Sequence, residues 1–304
     1  MIERLERAPS AARLRADLLR NRGRWEEGLA VCAVARAAGD ADLDLVVLQF
    51  RLEMAAGRQE RARAFLDEVL ARAPEATPQA LFARAVLSND LDEALALVDR
   101  ALRLAPDRNY LLTFRARLLR QLGDRSGRVD VLHQAVEAAS QAIEADPTSP
   151  DTYGERCATM LRLALTIEGE GGRAYAERAL TDMRAARDLR PDPELWADAA
   201  IALVLLERPL EALAEAAVAL EVAPPAWAGA DRLHLWRGHA RALLGEHDEA
   251  AREWGQGRLG ALSPTVARVH ARWLALAPAE TRERVLDGVP AALRAVIDDA
   301  LFGR

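Results

Sequence analysis

Two cysteines, five histidines and 41 basic side chains, every one of them arginine, carry most of the chemistry open to this 304-residue chain. Cys32 and Cys157 stand far apart, which suits neither a disulfide framework nor the clustered ligands of a zinc site. In apolar surroundings such a thiol acts as a small hydrophobe, with a reactive thiol as the alternative. A helical zinc protease needs two histidines four apart with a glutamate between them. His234 and His239 are five apart, separated by Leu235, Trp236, Arg237 and Gly238. On a helix that puts them about 140° apart round the axis, too far to share one metal easily, so no metal site is expected. EGEGGR (168–173) is glycine-rich but lacks the Gly-Lys-Ser/Thr of a phosphate loop, and no strand pattern precedes it. It is expected to be a turn. No Gly-x-Ser-x-Gly elbow occurs. Neither an enzyme nor a cofactor is expected.

Elements that could position such groups follow from composition and periodicity. The chain is 51% hydrophobic and 29% charged, enough for a large core and too charged for a membrane protein. Its net charge of −6 argues against nucleic acid as a partner. MIERLERAPS (1–10) has no apolar run, so no signal peptide is expected. No stretch reaches the roughly 18 apolar residues of a spanning helix, and a cytoplasmic location is the default. The missing lysine reflects GC-rich codon usage or selection against lysine modification. Apolar residues recur at i, i+3, i+4 and i+7 through most of the chain, and strand-like alternation is nearly absent. An all-α fold is predicted.

One phrase repeats. NDLDEALALVDRALRLAPD (89–107) has relatives in GRWEEGLAVCAVARAAGD (23–40), GRQERARAFLDEVLARAPE (57–75), RPLEALAEAAVALEVAPP (208–225) and GEHDEAAREWGQGRLGALSP (245–264). Each is a turn residue, a polar pair and a helix with small residues seven apart, and another helix precedes each one. A helix–turn–helix unit in tandem marks an α-solenoid. Prolines measure the spacing: Pro74 to Pro106 is 32 residues and Pro191 to Pro224 is 33, whereas Pro106 to Pro147 is 41 and Pro147 to Pro191 is 44. The two central units, about 107–191, therefore carry extra residues. Long helices are predicted around 126–146 and 152–168, with GEGG (169–172) as a loose turn.

These residues resemble the tetratricopeptide repeat (TPR) superfamily. Trp196, Ala200, Ala212, Ala219 and Pro224 fit its register in one unit, and Ala94, Ala101 and Pro106 in another. Gly23, Gly57, Gly123-Asp124 and Gly245 stand where its turns fall, and Trp25 and His247 where its turn aromatic lies. The resemblance covers residues 9–264. It implies a right-handed α-solenoid of about seven repeats over 1–264 and a C-terminal helical cap over 265–304. Helices are expected near 264–276, 280–287 and 290–302. The last presents Leu293, Val296, Ile297, Ala300 and Leu301 as one stripe, either a cap over the last repeat or a surface for homo-oligomerisation.

The resemblance also implies a function: a scaffold or adaptor holding a protein or peptide partner in a concave groove lined by the first helix, A, of each hairpin. In that register the groove's first half contains Arg13, Asp17, Arg20, Arg51, Arg117, Arg120 and Gln121. Arginines there would suit an acidic segment, unless they pair with nearby carboxylates. In the second half Ala197, Ile201, Val204 and Leu235 would give an apolar lining, with His239 in the groove. Trp227 is either an exposed anchor or folded back over the unit junction. Trp236, Trp254 and Trp273 are expected in the core. Chaperone-binding relatives clamp a carboxylate with lysine and asparagine; this chain has no lysine, and Asn21, Asn89 and Asn109 fall at helix ends or turns. A ligand-responsive regulator, with the central insertion as a hinge, is the other reading.

Overall fold

A computed structural model describes residues 11–302 apart from 168, 226, 259–263 and 288. Among the described residues it consists of seventeen helices and no strands. They run as α1 Ala11–Asn21, α2 Trp25–Ala37, α3 Leu43–Ala55, α4 Gln59–Arg72, α5 Pro78–Leu87, α6 Leu91–Leu104, α7 Asn109–Ser126, α8 Val129–Ala145 and α9 Pro150–Thr166. There follow α10 Gly169–Leu189, α11 Pro193–Leu205, α12 Pro209–Val222, α13 Ala230–Leu243, α14 His247–Gln256, α15 Pro264–Leu274, α16 Ala279–Leu286 and α17 Ala291–Phe302. Packing divides the chain into two compact units, 1–156 and 157–304. The sequence-based boundary at 264 abuts 259–263, outside the described residues, as does the N-terminal segment 1–10.

In the first unit the helices pair as hairpins α1–α2, α3–α4, α5–α6 and α7–α8. The opening phrase shows why the chain turns where it does. Asp90 accepts from the Asp92 and Glu93 amides at 2.8 and 3.1 Å and starts α6, satisfying donors that a helix N-terminus leaves orphaned. Ala94 and Ala101, seven residues on, are buried in α6. A methyl at those positions lets the paired helices approach closely, which is the physical content of the repeated alanine. A core built from Val47 and Phe50 of α3, Leu66 of α4, Phe82 of α5, Ala101 of α6 and Leu111 of α7 runs through three successive hairpins.

The central insertion lengthens both arms of a hairpin. α7 and α8 have 18 and 17 residues, against 13 and 14 in α3 and α4. About one turn per arm preserves the facing stripes. This corrects the placement of one turn: Gly123 lies inside α7 and is buried, because a Cβ there would meet Leu132 Cδ2 at 2.5 Å. The chain turns at Gly127, whose φ of +68° ends α7 in the left-handed conformation.

The second unit contains α10, the hairpins α11–α12 and α13–α14, and α15–α17. GEGG is not a loose turn. It enters α10 directly, and a Cβ on Gly172 would stand 2.1 Å from the Ile167 carbonyl oxygen, so glycine permits the tight entry. Leu293 and Ile297 of α17 are buried with Trp254, Leu274 and Leu286. That half of the stripe covers the core, whereas Ala300 is exposed. Among the described residues no helix is long and apolar enough to cross a membrane.

Candidate functional site

The first unit brings the expected groove residues onto one set of helices and pairs most of them internally. Arg13, on α1, donates to Asp42 Oδ2 at 3.1 Å and Asp44 Oδ2 at 2.6 Å. Gln79 Nε2 of α5 donates to Asp44 Oδ1 at 2.7 Å, and Arg108, before α7, reaches Asp44 Oδ2 at 3.0 Å. Asp44 thus ties together α1, α3, α5 and the entry to α7.

Further along α1, Arg20 is only 2% exposed. Its Nε donates to Asp17 Oδ1 at 2.9 Å, its Nη2 to Asn21 Oδ1 at 2.5 Å, and its Nη1 to Asp151 of α9. Asn21 Nδ2 donates to Thr148 Oγ1 at 3.5 Å, just before α9. The first and fifth A helices of the array therefore meet. Burial opposes the Arg20 charge, but Asp151 and Asp17 outweigh it and raise its pKa. Burial likewise opposes the Asp17 charge, and Arg51 and Arg20 overcome it, holding the carboxyl below its ordinary value. On α7, Arg117 Nε donates to Glu155 Oε1 at 2.6 Å and Arg120 Nη2 to Glu155 Oε2 at 3.2 Å; Gln121 follows, half-buried.

The expected open arginine surface is thus corrected at Arg13, Arg20, Arg117 and Arg120, which are bound to carboxylates of the chain itself. A guanidinium removed from water needs a counter-ion, and the neighbouring A helices supply one. Asp44, Asp151 and Glu155 were missed from sequence, since their partners come from residues 31, 131 and 38 positions away.

Arg51 is the exception. Its nearest carboxylate oxygen, Asp17 Oδ1, is 3.6 Å from Nη1, beyond hydrogen-bond distance. Burial, then the adjacent Arg20, push its pKa down to about 10. Its guanidinium carbon lies 5.9 Å from the centroid of the Tyr110 ring. The Tyr110 hydroxyl is buried with no hydrogen-bond partner among the described residues, and burial pushes its pKa well above the ordinary phenol value. Both side chains line a half-open cavity of about 180 Å³ between α1, α3 and the entry to α7, with Leu14, Val47 and Leu48 on its apolar side. Tyr110 carried no sequence signal beyond being an aromatic at the start of a helix.

In the second unit the supposed apolar lining is core. Ala197, Ile201, Val204 and Leu235 are all at most 4% exposed, since A helices flanked by neighbours on both sides bury most of their circumference. Trp227 folds back, half-buried against Ala197, Ala200 and Leu233, and its Nε1 donates to Glu194 Oε1 at 2.8 Å. Burial raises the Glu194 pKa. His239 is fully buried rather than open to a groove. Its Nδ1 accepts from Trp254 Nε1 at 3.1 Å and its Nε2 faces His270 Nδ1, with the Trp273 ring stacked 4.9 Å away. Trp236, Trp254 and Trp273 are buried, as are both cysteines. Among the described residues no group of three His, Cys, Asp or Glu side chains is placed to hold a metal ion.

Helical hairpins with small residues at their contacts define the class: this is the α-solenoid fold of the TPR proteins. Protein-family models and curated proteins yield no match to the sequence. Solved structures do. A chain of the APC/C hetero-tetramer Cut9–Hcn1 aligns with 99% of this chain over 57% of its own length, at a TM-score of 0.63 and 15% identity. TTC0263, a TPR protein of Thermus thermophilus, aligns at 20% identity over 66% of this chain and 98% of its own, with a TM-score of 0.48. A TPR protein from Parabacteroides merdae aligns at 14% identity over 86% and 96%, with a TM-score of 0.44.

Proposed function

We propose that this chain is a non-enzymatic adaptor that binds a protein or peptide partner on the A-helix face of its first unit. The observation that carries this reading is the half-open cavity between α1, α3 and the entry to α7, where ionised and apolar side chains meet beside two exposed leucines. Leu14 lines the cavity and Leu18 lies one turn further on the same face of α1; they are 58% and 47% exposed. A rigid scaffold presenting an apolar rim around under-partnered donors is a binding surface. The buried free thiols Cys32 and Cys157 suit a reducing compartment such as the cytoplasm.

The test is affinity capture from native lysate, comparing wild type with Leu14→Glu/Leu18→Glu. Both leucines are exposed, so the variant keeps its fold. Wild type is expected to retain a defined protein that the variant loses. Equal retention by both, or retention by neither, removes the adaptor reading.

A further inference from the structure

The reading of this cleft as a binding surface can be carried to the chemistry it takes, and the inference rests on that reading. We propose that the cavity between α1, α3 and the entry to α7 binds one carboxylate on a short apolar stem, gripped by Arg51 and Tyr110.

Three observations converge. The first is the sign of the unmet hydrogen bonding. Among the described residues no hydrogen bond reaches the Arg51 guanidinium, and the Tyr110 hydroxyl is buried without a partner. Arginine only donates, and a buried tyrosine hydroxyl left without a partner offers its proton. The missing group is therefore an acceptor. A carboxylate presents two oxygens in one plane, matching the guanidinium fork and leaving lone pairs for the phenol.

The second is charge. Arg13 and Arg108 share Asp44, and Asp17 is hydrogen-bonded to Arg20. Of the arginines lining the cavity, Arg51 alone lacks a carboxylate within hydrogen-bond distance. One negative charge completes the cluster. A doubly charged phosphate would place its second charge against Asp17 and Asp44, which line the same cavity.

The third is size and lining. The cavity measures about 180 Å³, slightly more than the ~150 Å³ that holds one benzene ring. That accommodates a carboxylate with a stem of about three to five carbons. Leu14, Val47 and Leu48 form the apolar wall for the stem. Two sources supply this chemistry: a free short-chain monocarboxylic acid, or an apolar residue at the free carboxyl end of a peptide.

Isothermal titration calorimetry of the full chain separates them. The probes are isovalerate, its neutral analogue isoamyl alcohol, inorganic phosphate, and a hexapeptide ending in valine with a free or an amidated terminus. Wild type is expected to bind isovalerate or the free-terminus peptide saturably, with the alcohol, phosphate and amidated peptide at least about tenfold weaker. Isovalerate binding assigns the free acid; binding of the free-terminus peptide alone assigns a chain end. Arg51→Met is expected to weaken binding at least about tenfold, and Tyr110→Phe about three- to tenfold. Tyr110→Phe removes a hydroxyl that bonds nothing in the structure, so it reports on the site even if Arg51→Met disturbs folding. The proposal is overturned if neither carboxylate probe binds saturably, if the neutral or amidated probes bind as well, or if Tyr110→Phe binds like wild type. Lysate capture is independent: carboxylate binding with no captured protein leaves the site standing and removes only the adaptor.

Discussion

Acidification should destabilise the second unit through its paired histidines. Trp254 Nε1 can only donate, so His239 Nδ1 accepts and the His239 proton sits on Nε2, directed at His270 Nδ1. Both rings are neutral in that arrangement. Burial, then His270 and Arg272, hold the His239 pKa well below its ordinary value, and burial lowers His270 to about 4. Unfolding returns both to about 6.5. Between those values the unfolded chain binds protons that the folded chain refuses, so stability is complete above the unfolded pKa and falls as pH drops below it. Each buried histidine removes about 2 kcal/mol between pH 7 and pH 5, so the pair removes about 4 kcal/mol. Urea unfolding at pH 7, 6 and 5 measures the loss, and the histidine C2 proton resonances read the titrations directly, with exposed His133 as an internal reference. His270→Phe orphans the His239 Nε2 proton and costs about 1–3 kcal/mol at pH 7, while reducing the acid-induced loss by about half. Stability that is flat from pH 7 to 5, or five histidines all titrating near 6.5, would refute the reasoning.

Two further perturbations test the packing. A Cβ on Gly238 would stand 2.4 Å from Trp254 Cδ1 and Nε1, and Trp254 is fully buried. Gly238→Ala should therefore cost about 1–3 kcal/mol in thermal unfolding, and an unchanged midpoint would mean the indole relocates freely. Removing the buried Arg20 cation leaves Asp17 and Asp151 facing each other, so Arg20→Met should cost about 2–3 kcal/mol, at the lower end for a broken ion pair because both carboxylates keep some access to water. The same variant should speed amide exchange at the start of α9; exchange unchanged there would contradict the link between α1 and α9.

The repeat was legible because it is local. Asp90 caps α6 with its own neighbours, and Ala94 and Ala101 share a face because a helix returns to it every seven residues. Legibility failed first where two glycines compete for one role. Gly123 and Gly127 both suit a turn by composition, and only the position of Leu132 on the facing helix assigns one to close packing and the other to positive φ. Trp227 resisted for the same reason: its partner, Glu194, lies 33 residues away, and no local pattern indicates whether an indole in a loop turns outward or back.

The groove residues mark the limit most clearly. Their types and their places on A helices follow from sequence, because periodicity decides which side of a helix a residue occupies. Whether an arginine on that side is available depends on what stands opposite it. Arg20 meets Asp151 only because the array brings its first and fifth A helices together, and Arg117 meets Glu155 only because α9 follows α7 in space. Arg51 has the same residue type and the same register, yet it alone among these groove arginines is left without a hydrogen-bonded carboxylate, beside a tyrosine hydroxyl with no partner. Helix, turn and repeat are set by interactions within a few residues and are written in the chain. Charge pairing and cavity are set by contacts across as many as 131 residues, and those exist only once the helices have packed.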